Sequence, residues 1–68
     1  MELYLKLLQD AKGGASHDGL IRTLKSESKH GYDESDDHTM IAAYFPNDVV
    51  IMISPYHQIS IFKRMKLT

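Results

Sequence analysis

A chain of 68 residues holds one domain with a small core. Its 43% apolar and 25% charged content describes a folded chain, not a disordered one. The absence of cysteine excludes disulfides, thiolate zinc sites and cysteine nucleophiles, and a formal charge of −1 gives no overall pull toward nucleic acid.

The opening MELYLKLLQD has no basic lead into an apolar stretch, so it does not read as a signal peptide. The longest apolar runs are about half a dozen residues, against the roughly 20 needed to span a bilayer. A cytoplasmic protein without a membrane partner is expected.

Residues 2 to 12 predict a helix, because Leu3, Tyr4, Leu7, Leu8 and Ala11 recur at spacings of three and four. Glu2 and Lys12 suit its dipole, and Gly13 and Gly14 end it. Residues 16 to 28 admit two readings. Ser16 or Asp18 could cap a second helix with Leu20, Ile21 and Leu24 on one face. Gly19 and the serines that follow favour a strand over 19 to 26 instead.

A polar turn follows around Gly31, and residues 38 to 45 then predict a strand that opens a central hairpin at Thr39. Pro46, Asn47 and Asp48 form a tight turn. The apolar run at 49 to 54 predicts a central strand buried on both faces. After a turn at 55 to 58, residues 59 to 67 alternate. Ile59, Ile61, Met65 and Leu67 face one way, Ser60, Arg64 and Lys66 the other. The cations Lys63, Arg64 and Lys66 suit an edge strand. The expected class is α+β, with one or two N-terminal helices on a small antiparallel sheet of three to four strands.

Chemistry concentrates at residues 31 to 40, GYDESDDHTM, where Asp33, Glu34, Asp36 and Asp37 crowd together. With His30 and His38 they supply metal-ligand types, yet their spacing matches neither a zinc motif nor a calcium loop. No nucleophile elbow or phosphate loop is present. The chain therefore reads as non-catalytic, with neither metal nor cofactor.

Two kinds of binding surface remain. Carboxylates held on a small rigid domain can imitate the regular negative charge of DNA and meet the cations of a DNA-binding protein. Alternatively, Tyr56 and Phe62 with Lys63, Arg64 and Lys66 could stack and neutralise single-stranded nucleic acid. Met40 and Met52 on successive strands, with Ile41, are candidates for an apolar pocket.

Tyr32, Asp33, Glu34, Ser35 and Asp37 resemble the Tyr-Asp-Glu-Ser-x-Asp segment of the bacteriophage uracil-DNA glycosylase inhibitors. The element order is similar, as is the basic, methionine-containing tail KRMKLT. Ser26, Glu27 and Ser28 are the local counterpart of the family's Glu-Ser-Ile segment, at a different position. The resemblance implies a DNA-mimicking inhibitor of phage or mobile-element type. Its partner would be a DNA-binding enzyme, met by Glu27, Asp33, Glu34, Asp36 and Asp37. An apolar pocket would receive a protruding side chain of that enzyme.

Overall fold

The computed structural model describes residues 2–64. Two helices, α1 (Glu2–Lys12) and α2 (His17–Glu27), precede four strands: β1 (Tyr32–Glu34), β2 (Ile41–Phe45), β3 (Val49–Ile53) and β4 (Ile59–Lys63). All neighbouring strands are antiparallel and the sheet order is β1-β2-β3-β4. The arrangement is α+β.

Helix α1 ends where the two glycines predict. Gly14 has φ +92, and Ala15 N–H donates to the Asp10 carbonyl at 3.0 Å across the helix end. Its buried face differs in detail from the predicted stripe. Leu7 is fully buried, and Leu3, Tyr4 and Ala11 pack against the core, whereas Leu8 is exposed.

The strand expected over 19 to 26 is instead the body of α2. Ser16 Oγ accepts the Gly19 N–H at 3.0 Å and caps the helix. The Thr23 hydroxyl donates back to the Gly19 carbonyl at 3.0 Å. Packing decides the outcome. A strand would send Leu20 and Leu24 to one face and Ile21 to the other, while the helix buries all three together. The strand missing from that segment lies at Tyr32–Glu34, within the stretch read as a turn.

Residues that face each other across an antiparallel pair share a face. On the helix-facing side, Glu34, Ile41, Ile53 and Ile59 form one cross-strand row, and Tyr32, Ala43, Ile51 and Ile61 the next. Ile41, Ala43, Ile51 and Ile53 join Leu7, Leu20, Ile21 and Leu24 in a single core. On the other side run the rows Asp33–Ala42–Met52–Ser60 and Tyr44–Val50–Phe62. Central strand β3 is thus buried on its helix side, and Val50 is also buried on the outer side, while Met52 stays half-buried.

The turn at 46 to 48 is a short 3-10 turn with Asn47 and Asp48 at φ 66 and 62, a left-handed conformation these two residue types tolerate. The hairpin opens at Ile41, not Thr39, because residues 35 to 40 belong to a hydrogen-bonded turn. The strand β4 lies at an edge as expected; Met65, Lys66 and Leu67 of the predicted strand lie outside the described residues.

Candidate functional site

The acidic segment divides into four environments. Asp33 sits on the outer face of edge strand β1 and accepts a hydrogen bond from the Tyr44 hydroxyl. The carboxylate in turn pushes the Tyr44 phenol up from its ordinary value. Glu34, one residue on, points to the helix side. Lys25 Nζ of α2 reaches its Oε2 at 2.7 Å, and His38 Nδ1 lies 3.0 Å from Oε1. The hydrogen bonds from Lys25 and then His38 hold the Glu34 carboxyl below the ordinary range, and Glu34 holds the Lys25 ammonium above its own.

Asp37 organises the turn. Its Oδ1 accepts from the Ser35 hydroxyl at 2.7 Å, the Thr39 hydroxyl at 2.8 Å and the Thr39 N–H at 3.2 Å. The contacts with Ser35 and then Thr39 lower its pKa. Ser35 Oγ also accepts the Met40 N–H at 3.0 Å, and Ser35 N–H donates to the Met40 carbonyl at 3.0 Å. Residues 35 to 40 are therefore a hydrogen-bonded unit that holds the side chains of Ser35, Asp37 and Thr39. Asp36 is exposed at its tip and makes none of these contacts.

Asp33 is exposed on edge strand β1, and Asp36 and Asp37 are exposed on the turn that follows it. Glu34 is engaged by Lys25 on the helix side, and Glu27 ends α2. The apolar pocket expected from Met40, Ile41 and Met52 is not assembled. Ile41 is fully buried in the core, whereas Met52 lies on the opposite face of the sheet. Met40 stands 39% exposed beside the acidic turn. Strand alternation explains the error: Ile41 and Met52 are offset by one position across the β2–β3 pair.

The basic and aromatic group is also divided. Phe62, 44% exposed, lies on the outer face with Tyr44, and the Arg64 guanidinium stacks over the Tyr44 ring at 5.0 Å. Lys63 takes the alternate face, and Lys66 lies outside the described residues. Tyr56 is in the turn at the far end of the β3–β4 hairpin. Tyr44, which the sequence reading did not single out, is the residue that connects both groups, through Asp33 on one side and Arg64 on the other. A signal for it was available in the i, i+2 alternation of residues 42 and 44.

Among the described residues, clefts lie beside the sheet, and two of them border the groups above. One of about 490 Å³ is bordered by His30, Tyr44, Pro46, Asp48 and Arg64. The other, about 180 Å³, lies between α2 and β1 and is lined by Asp18, Arg22, Lys25, Glu34 and His38. Among the described residues no three His, Asp or Glu side chains converge to hold a metal, and no helix is long and apolar enough to cross a membrane. Comparison with protein families, curated proteins and solved structures finds no match for this chain.

Proposed function

We propose that the protein is a small non-catalytic inhibitor that binds a DNA-binding enzyme by imitating DNA, acting in the cytoplasm, with uracil-DNA glycosylase as the enzyme to test first. One observation carries this reading. The row Asp33–Ala42–Met52–Ser60 joins a fixed carboxylate to half-buried apolar surface on a sheet face, next to Asp36 and Asp37 on a closed turn. Fixed carboxylates lose little freedom on meeting a cationic groove, and adjacent apolar surface slows dissociation. Hydrogen bonds from Tyr44, Ser35 and Thr39 fix Asp33 and Asp37 without cancelling their charge. Glu34 is largely spent on Lys25, so the contact surface is narrower than the full acidic segment.

The experiment is a uracil-excision assay with a bacterial uracil-DNA glycosylase and the purified full chain. Inhibition at equimolar protein, weakened by Asp33→Lys and by Asp36→Lys, is the expected result. Full excision at several-fold molar excess removes this target.

A second reading rests on a different row. Tyr44, Val50 and Phe62 with Arg64 place two aromatic rings and a cation on the outer face, a platform on which single-stranded bases can stack. Binding of a single-stranded oligonucleotide that falls with salt and is lost in Phe62→Ala and Arg64→Glu supports it. No binding at low salt eliminates it.

A further inference from the structure

His17 and His57 come from distant parts of the chain, the first turn of α2 and the turn joining β3 to β4. Their ring centroids lie 4.5 Å apart, with the planes tilted by 49°. His17 Nε2 is 2.6 Å from the Thr39 carbonyl oxygen. A carbonyl only accepts, so Nε2 carries the proton and the lone pair of the neutral ring is on Nδ1. That Nδ1 is buried and has no hydrogen-bond partner. A ring that donates from one nitrogen to a backbone carbonyl and offers the other bare is oriented as metal-ligating histidines are.

The second ring is held nearby by its turn. Ser54 Oγ accepts the N–H groups of Tyr56 and Gln58, both at 3.1 Å, and His57 N–H donates to the Ser54 carbonyl at 3.2 Å. His57 itself has φ 67, a conformation uncommon for a residue with a side chain. His57 is exposed, with its ring against that of His17.

We propose that His17 and His57 form a two-imidazole site for a divalent transition-metal ion of the zinc type. His17 Nδ1 and one nitrogen of His57 are the ligands, and water fills the remaining positions. Zinc binds imidazole nitrogen at about 2.0–2.1 Å, so a tetrahedral site needs the two nitrogens about 3.3 Å apart. The site requires His57 to turn one ring nitrogen to that spacing from His17 Nδ1, starting from rings whose centroids are 4.5 Å apart. The cation also gives the buried Nδ1 the partner it lacks. His38 is committed to Glu34, and His30 lines the cleft beside Tyr44, so both serve as internal controls.

The test is a titration of the nitrogen-15-labelled full chain with Zn²⁺ alone at neutral pH, read at the imidazole nitrogens. The His17 and His57 signals are expected to shift together at one ion per chain, with His30 and His38 unmoved. His57→Ala, at an exposed position, should keep the amide spectrum of the fold and weaken Zn²⁺ binding by about tenfold or more, the scale on which metal sites respond to loss of support. Equal affinity in wild type and His57→Ala, shifts confined to His30 and His38, or no shift at millimolar Zn²⁺ would each overturn the assignment.

Discussion

Lys25 on α2 and Glu34 on β1 meet at 2.7 Å and tie the helix layer to the edge strand of the sheet. Tyr32, two residues before Glu34, adds to the tie, since the Lys25 ammonium lies 5.6 Å from its ring centroid. The strand β1 is only three residues long, so these side-chain contacts add to a short backbone ladder with β2.

Stability should depend on pH through this pair, with a sign that follows from the shifts. The Glu34 carboxyl is held below its ordinary range, so its contribution is present above about pH 4.3 and is lost as pH falls through its lower folded value. The Lys25 ammonium is held above its ordinary range, so its contribution is present below about pH 10.4 and is lost as pH rises through its raised folded value. Urea midpoints measured from neutral pH to pH 2 should fall more steeply for wild type than for Glu34→Gln. Some slope remains in the variant, because Asp37 is also lowered. Identical slopes in the two proteins would show that the pair makes no contribution.

The Tyr44–Asp33 contact makes a separate, spectroscopic prediction. Raised by Asp33, the Tyr44 phenol should ionise above the ordinary value of about 10. The difference between ultraviolet titrations of wild type and Tyr44→Phe isolates this one tyrosine. Asp33→Asn should bring it back toward the ordinary value. Because the folded pKa is raised, the associated stability is present below about pH 10 and is lost above it.

Ser16 decides where α2 begins. Ser16→Ala removes the acceptor for the Gly19 N–H and should cost about 1 kcal/mol, read from the urea midpoint. Ser16→Asp, which keeps an acceptor at that position, should restore most of the loss.

Leu24 is fully buried at the centre of the helix–sheet contact. Leu24→Ala should cost about 3 kcal/mol, a large share of the stability of a domain this small. Phe62→Ala, on the outer face, should cost far less and serves as the comparison in thermal unfolding. Equal losses at the two positions would show that the outer face also packs against something in solution.

Much of this architecture is legible in the residues. The two glycines after Lys12, the turn at Pro46–Asp48 and the apolar run of β3 each carry a local signal that the packed structure keeps. Residues 16 to 28 are different, because Leu20 and Leu24 fit both periods, and burial of Ile21 beside them together with the Ser16 cap selects the helix. Short strand β1 has no periodicity to read, since three residues in a polar stretch give alternation nothing to act on. For the candidate site, the acidic character was visible but its division was not. Whether Glu34 meets water or Lys25 depends on which side of β1 faces α2, and pairing with β2 sets that side. The same register separates Ile41 from Met52.

The sheet order β1-β2-β3-β4 follows the chain without a crossover, and the helix pair comes before all of it. Each strand therefore finds its partner by closing a short loop, and little entropy is lost before a hairpin begins to gain contacts. The central hairpin of β2 and β3 can close first, with β1 and β4 added to its two sides in either order. Such a chain should reach its native state quickly for a protein built on a four-stranded sheet, with little time spent as an exposed, association-prone intermediate.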